Sequence, residues 1–377
     1  SRPQKRSGFP SLTGKSFPLA TCRAGGPFHM SSTNIATTSA LAVKVWARKV
    51  FNDAVKATMY GKLSGTSDRA IVQVKDELKK GEGDRVRFTL RSLPTGIGVQ
   101  DEETLEGKEE GLDFQYFDLN LGEKRHAIKV DLNLSAQRTI YDVRAEAKAA
   151  LEEWIEEYCD TTFFEYLSGM TANGAAVSYF HPSGVLGGNA ILAPSSDRIV
   201  FGGTGVTSRA GLAVGDVMTL SVLDKVAEAI KLAKPTMRPG SFDGKQAYVV
   251  ILHPYQVNDL RSNTSAVDAN PIWSESLGMY RNLILVESTR IPTFTNGGAG
   301  GNVAGARALV LGAQAAVAAY GNGTDEKGRM KAVDRTFDYG KRYGVSATLI
   351  WGMAKTRFSN QSDFGVFALE TAAKAHT

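Results

Sequence analysis

Between Asp84 and Leu93 the chain alternates apolar with basic or polar positions, Val86, Phe88 and Leu90 at one parity and Arg85, Arg87, Thr89 and Arg91 at the other. A period of two predicts a half-buried β-strand. Pro94, Gly96 and Gly98 follow, then a run in which Asp101, Glu102, Glu103, Glu106, Glu109 and Glu110 are set against the single Lys108. Carboxylates at that density repel one another and stay in water unless a basic surface meets them. Leu112, Phe114 and Tyr116 resume the alternation, and Ile128, Val130, Leu132 and Leu134 continue it. The pattern predicts a hairpin arm with an acidic tip. An isolated hairpin is marginal in water, so an arm that buries little against its own domain needs another molecule to cover it. The alternative is a solvated loop on an ordinary sheet, and periodicity alone does not choose.

A helical period takes over after the arm. Ser135 is the expected N-cap, its hydroxyl satisfying a free N–H of the first turn. Ile140, Val143, Ala147, Leu151, Trp154 and Tyr158 then recur at three- and four-residue steps, one apolar stripe along a helix. Gly169 is the expected stop. A helix from Ser135 to Ser168 would run roughly 50 Å at ~1.5 Å per residue and needs support along its whole length. It is either a large core helix of an α/β enzyme or a structural spine.

Residues 173–215 are rich in Gly, Ser and Pro, with short β-prone runs at Ala190–Leu192 and Ile199–Phe201. Asp216 is read as opening a second helix with Val217, Leu220, Leu223, Val226, Ile230 and Leu232 buried, stopping near Pro235. Ala247–Leu252 is an apolar run of strand length ending at His253-Pro254, residues 256–261 read as a short helix, and Leu283–Glu287 and Ala308–Gly312 as strands. That alternation predicts an α/β domain over residues 216–325. Phe337–Tyr343, Val345–Trp351 and Phe364–Leu369 read as strands returning to pack on the long helix.

Several of these residues carry a family resemblance. Leu105-Glu106-Gly107-Lys108-Glu109-Glu110, Gln137-Arg138, Asp142-Val143-Arg144, Leu151 with Trp154, Leu167-Ser168-Gly169, His253-Pro254 with Leu260-Arg261, and Trp273 stand in an order and spacing that resembles the major capsid proteins of tailed phages of the N-four type, over roughly residues 31–375. The resemblance implies an α+β chain of the Hong Kong 97 capsid fold. It divides into an N-terminal arm (1–69), an extended β-hairpin loop (70–132), a peripheral domain with the spine helix (133–215), an axial α/β domain (216–325) and peripheral return strands (326–377). It also implies self-assembly into hexamers and pentamers of an icosahedral head enclosing double-stranded DNA without sequence specificity. Scaffold, portal and decoration proteins would be further partners. The place would be the virion, with assembly in the host cytoplasm. Arg85, Arg87, Arg91, Asp101, Glu102, Glu103, Glu106, Lys108, Glu109 and Glu110 become the expected inter-subunit contacts. Ile140, Val143, Leu151, Trp154 and Tyr158 become the expected core of the spine.

Composition is consistent with this picture and narrows it little. The 377 residues suffice for two subdomains with real cores. No apolar run approaches the ~20 residues that span a bilayer, so a soluble protein without a membrane partner is expected. Cys22 and Cys159 are too few for a disulfide framework or a thiolate metal site, which suits synthesis in a reducing cytosol. Arg2, Lys5, Arg6, Lys15 and Arg23, with no acid among residues 1–29, equal the whole formal excess of +5, so the remainder sums to zero. The Pro- and Gly-rich head, ahead of Met30-Ser31-Ser32, reads as an addition that could lie on a neighbouring subunit or on packaged DNA. A dedicated nucleic-acid-binding domain would instead carry its basic face on the folded body.

Catalytic motifs are missing where spacing can test them. Gly14-Lys15-Ser16 matches the end of a P-loop, but Gly8 stands one residue too far upstream and prolines surround it. Gly297-Gly298-Ala299-Gly300-Gly301 lacks the dinucleotide-binding spacing and reads as a loop between strands. His29, His126, His181, His253 and His376 are scattered, with no zinc-hydrolase pair, and no G-x-S-x-G elbow occurs. Glu152-Glu153 and Glu156-Glu157 read as the solvent side of the long helix. A structural protein without cofactor, metal or catalytic site is the expectation. An encapsulin-like compartment and a Gly-rich-loop nucleotide-binding enzyme are the alternatives.

Overall fold

The computed structural model describes residues 58–75, 83–91, 96, 98–101, 103–112, 114–131, 143–170, 185–186, 188–242, 244–263, 278–321, 330–360 and 362–375. Ser135, Ile140, Leu132 and Leu134 lie outside them, as do Glu102 and the head. Among the described residues the strands form a six-stranded sheet, an eight-stranded sheet and two separate two-stranded ribbons.

The first element among the described residues is a short helix, α1 (Met59–Leu63), whose N-cap Thr58 accepts a hydrogen bond from Gly61 N at 2.9 Å. β1 (Ser64–Gly65) and β2 (Val72–Lys75) follow and enter the six-stranded sheet. The arm is β3 (Arg85–Arg91) paired antiparallel with β4 (Phe114–Asn120). After Leu121 the chain continues as β5 (Gly122–Asp131), which belongs to the six-stranded sheet and not to the hairpin. The arm proper therefore closes at Asn120, shorter than the alternation through Ile128 and Val130 suggested.

The expected spine is α2 (Val143–Ser168), 26 residues and roughly 39 Å long. Its buried positions are Ala147, Leu151, Ile155, Tyr158, Cys159 and then every residue from Thr162 to Ser168. The first half is amphipathic, while the second passes through the core. Val143 and Trp154 are only half-buried, so the stripe runs through Ile155 and not through Trp154. Gly169 ends the helix at φ +61°, its N–H reaching Glu165 O at 3.0 Å. A Cβ there would lie 2.3 Å from Leu192 O, so glycine is required sterically as well as conformationally.

After α2 come a ribbon of β6 (Val185–Leu186) and β7 (Asn189–Ala190) and then β8 (Ile199–Phe201). The second long apolar period forms α3 (Leu220–Leu232), starting four residues later than expected. Val222, Leu223, Val226 and Ile230 are buried, but Leu232 is 71% exposed. β9 (Gly240–Phe242) and β10 (Lys245–Leu252) lead to α4 (Pro254–Ser262). His253 caps α4, accepting from Tyr255 N through Nδ1 while Gln256 accepts from His253 N, which accounts for the His-Pro pair. β11 (Gly278–Tyr280), β12 (Leu283–Glu287), β13 (Thr293–Gly297) and β14 (Val303–Leu311) follow, the glycine run 297–301 turning between the last two.

β15 (Ala316–Tyr320), β16 (Met330–Phe337) and β17 (Arg342–Lys355) return to the six-stranded sheet. β17 pairs with β5 over Arg342–Trp351 and with β15 over Trp351–Lys355. Residues 338–341, expected as strand, are the turn between β16 and β17. β18 (Val366–Ala372) joins the eight-stranded sheet between β14 and β8, with Val366 in the core shared with α2. That sheet is covered on both faces. Val249 and Ile251 of β10 enter the core shared with α2, while Val250 and Leu252 enter a second core with α3 and α4. Double-sided burial explains why β10 reads as an unbroken apolar run.

Candidate assembly interface

The hairpin register places two kinds of side chain on its two faces. Val86 opposes Leu119 and Phe88 opposes Phe117, and these turn inward, with Val86 at 6%, Phe88 at 2% and Leu119 at 0% exposure. The base of the arm is thus covered by its own chain, where the sequence suggested little such burial. The sequence also placed Phe114 and Tyr116 on the buried side; they face outward with Leu112, all more than half exposed. Because β4 has apolar residues at both parities, Val86 and Phe88 decide its register by taking Leu119 and Phe117 as partners.

The polar residues of the outer face are largely paired within the chain. Arg85 Nε donates to Asn120 Oδ1 at 2.9 Å. Arg87 holds Asp118 with two bonds of 2.7 and 2.8 Å and stands 4.5 Å over the Tyr116 ring. Its hydrogen bond holds the Asp118 carboxyl below the ordinary value. Arg91 is exposed opposite Phe114. At the tip, Lys108 meets Glu103 at 2.7 Å, Glu109 accepts from Gly107 N and Glu110 from Gly96 N, each at 2.7 Å. These bonds shape the tip without removing its charge: Asp101, Glu103, Glu106, Glu109 and Glu110 are all exposed, with Leu105 61% exposed among them.

The helix seats this arm's neighbouring strands. Trp154 stacks between His126 of β5 (4.5 Å, 21°) and Tyr158 (5.4 Å, 5°). Lys148 meets Asp334 of β16 at 3.3 Å, and Arg144 stands over the Tyr343 ring of β17. At the far end, Arg307 Nη1 donates to Ser168 O at 2.7 Å, a cation on the last turn where the helix dipole favours it. Arg307 pairs in turn with Glu370, its cross-strand neighbour, which also holds Arg209. Burial pushes the Glu370 pKa up, but the Arg209 hydrogen bond and the Arg307 and Arg209 charges together hold it below the ordinary value. No sequence signal marked this triad, because its three members come from distant segments. Glu153 and Glu157 are exposed, as expected for the solvent side of α2, whereas Glu152 and Glu156 are half-buried.

Among the described residues no group of His, Cys, Asp and Glu could hold a metal ion, and no helix is long and apolar enough to cross a membrane. A family model described as phage capsid protein matches residues 34–375. The chain belongs to the phage capsid protein family. It is 26% identical to the major capsid protein of Pseudomonas phage KPP25 over 92% of this chain and 99% of that protein. Its fold is similar to the capsid of Ralstonia phage GP4, with a TM-score of 0.74, 29% identity, and coverage of 96% of this chain and 100% of that one. It is also similar to the Cyanophage Pam1 capsid, with a TM-score of 0.68, 20% identity and coverage of 85% and 93%. The Hong Kong 97-like α+β architecture expected from the sequence is thereby established. As a major capsid protein the chain is a structural protein and not an enzyme, and repeated copies of it form the capsid shell of the virion. The nucleotide-binding alternative falls with this, and the encapsulin-like compartment becomes a distant one.

Proposed function

We propose that the β3–β4 arm is the inter-subunit contact of this shell, with Arg85, Arg87 and Arg91 on its flank and the carboxylates 101–110 at its tip. The observation that carries the reading is the asymmetry of the hairpin. Its inner face is sealed against the subunit, while Leu105, Leu112, Phe114 and Tyr116 are left more than half exposed beside a cluster of acids. Apolar surface of this kind, rimmed by charge, fits a protein partner. In this reading β2 and β5 root the extended loop (70–132) in the sheet. Residues 133–215 and 326–377 supply the peripheral domain, residues 216–325 the axial domain, and residues 1–69 the N-terminal arm. The subunits gather as hexamers and pentamers of an icosahedral head that is built in the host cytoplasm and filled with double-stranded DNA held without sequence specificity. Scaffold, portal and decoration proteins are its further contacts.

Reversing Glu102, Glu103 and Glu106 to lysine tests the arm. The subunit is expected to fold, since exposed loop charges usually shift stability by less than ~0.5 kcal/mol. Assembly, read by sedimentation and negative-stain microscopy, is expected to weaken, most at low salt where screening is least. Normal assembly at low salt would remove the arm from the interface.

A further inference from the structure

The hairpin leaves the body of the subunit at one residue. Asn120 closes β4, and β5 begins two residues on at Gly122. Both backbone groups of Asn120 go to a single side chain: its N–H donates to Asn189 Oδ1 at 3.0 Å, and its carbonyl accepts from Asn189 Nδ2 at 2.7 Å. The amide thus pairs with the chain as a neighbouring strand would. Asn189 opens β7 directly after Gly188, which stands at φ +89°, and it is buried. Its own carbonyl accepts from the Tyr166 hydroxyl at 2.8 Å, on the buried second half of α2. The root of the arm is therefore tied through Asn189 to the long helix. The same residue lies close on β17, where a side chain in place of Gly352 would collide with Asn120 O.

Apolar contact also holds the root, through Val86, Phe88 and Leu119. Burial of that kind is non-directional, whereas a hydrogen bond weakens steeply as it bends. The two amide bonds are therefore the contacts that resist a change of angle. Other polar contacts resist it less. Arg85 with Asn120 and Arg87 with Asp118 lie within the hairpin and travel with it. Lys75 reaches Arg87 O only at 3.5 Å and in the open. Farther out, a cleft of about 840 Å³ is lined by Leu90 and Arg91 from the arm and by Pro235 and Arg238 from the body, which leaves the arm room to swing. From Arg85 to Arg91 β3 runs ~20 Å, so a tilt of about 10° at the root carries Arg91 by about 3–4 Å. A displacement of that size breaks any hydrogen bond or ion pair made there.

We propose that Asn189 is the positioning residue of the arm, its amide fixing the angle at which β3 and β4 leave the subunit and hence where they meet a second copy in the shell. This rests on the arm being an inter-subunit contact. The test uses the full chain with Cys22→Ser, since the other cysteine, Cys159, is buried. Spin labels at Arg91→Cys on the arm and Glu153→Cys on the exposed side of α2 report the angle in unassembled subunits by double electron resonance. One narrow distance is expected. Asn189→Ala should widen it by about 3 Å or more, the swing of the arm, and should replace uniform closed shells with irregular and open ones under negative stain. A residue that only stabilised the subunit would lower the urea midpoint and leave the distance in folded subunits narrow. Tyr166→Phe keeps the ring and removes only the hydroxyl that holds Asn189, so it carries the same test, with the same expected direction, if Asn189→Ala fails to fold. A narrow distance in folded Asn189→Ala subunits would overturn the inference, because the apolar contacts would then set the angle alone. A widened distance with uniform shells at the unaltered yield would overturn it too, and the arm contact would still stand if reversing Glu102, Glu103 and Glu106 weakens assembly. Normal assembly after that reversal removes the arm contact itself, and this inference with it.

Discussion

The indole Nε1 of Trp351 donates a hydrogen bond to the Tyr158 hydroxyl at 3.0 Å, and through it the middle of the long helix is fastened to the long strand β17. Both side chains are fully buried, and Tyr60 and Tyr320 pack around the same indole. Tyr158→Phe keeps the ring but leaves a buried donor without its acceptor. Such a loss costs about 1–3 kcal/mol. Urea unfolding of the unassembled subunit should show a lower midpoint with an unchanged slope; an unchanged midpoint would mean that the indole finds another acceptor.

Leu151 and Trp154 should separate in the same assay. Leu151 is fully buried, and its truncation to alanine should cost ~2–5 kcal/mol. Trp154 looked like an equal member of the stripe, but it lies half-buried at the edge, held by stacking on His126 and Tyr158. Trp154→Ala should therefore give soluble, folded subunits that have lost roughly 1–2 kcal/mol, since an aromatic pair contributes ~0.5–1.5 kcal/mol beyond its burial. Insoluble Trp154→Ala subunits alongside soluble Leu151→Ala ones would reverse this ranking.

The contrast between these two residues shows what the sequence could and could not disclose. Where one parity was purely apolar, as at Val86, Phe88 and Leu90, the face was legible. So was the doubly covered run from Ala247 to Leu252, and the stop at Gly169. Where apolar residues fell on both parities, as at Phe114, Tyr116, Phe117 and Leu119, the pattern could not choose, and only pairing with β3 settles it. β15 escaped altogether because Ala316, Ala318 and Ala319 carry little strand preference, although all five of its residues are buried. The tie between Asn189 and Asn120 was hidden for a different reason: the two meet only when the β6–β7 ribbon closes on the root of the arm.

Glu370 offers a test of the buried triad. It is 1% exposed and holds Arg307 at 2.6 Å and Arg209 through Nε at 2.9 Å. Removing the charge of one partner in a buried ion group typically costs ~3–5 kcal/mol. Because the Arg209 side chain is 23% exposed and can recover some hydration, Glu370→Gln should fall near the lower end, about 3 kcal/mol by denaturant unfolding. Since the folded pKa of Glu370 is depressed, its contribution is present above the ordinary glutamate range and is lost as pH falls through the folded value. The deficit of the variant should accordingly shrink in acid, and a deficit that stays constant with pH would exclude the charge as its origin.

Lys355 gives the opposite end of the pH scale. Its Nζ lies 2.9 Å from Asp363 Oδ2 and also donates to Leu192 O, with both charged side chains almost completely buried. Burial pulls the ammonium pKa from 10.5 down to about 8, and Asp363 offsets only part of that pull. At Lys355 the folded chain therefore binds fewer protons than the unfolded chain between those two values, so the lysine's contribution to stability rises with pH across that window and is lost as pH falls through about 8. At ~1.4 kcal/mol per pH unit of full proton difference, the rise from pH 8 to pH 10 should be roughly 2 kcal/mol. Tyr158 and Cys159 work in the other direction, because burial pushes the phenol and the thiol up. Both are shared by the natural chain and a variant at Lys355, so the difference between the two cancels them. Lys355→Met removes the titrating group while Arg357 still holds Asp363 at 2.6 Å, so the natural chain minus the variant isolates the lysine. Unfolding free energies measured at pH 8, 9 and 10 should diverge in favour of the natural chain. Parallel curves would show that Lys355 keeps an ordinary affinity for its proton despite its burial.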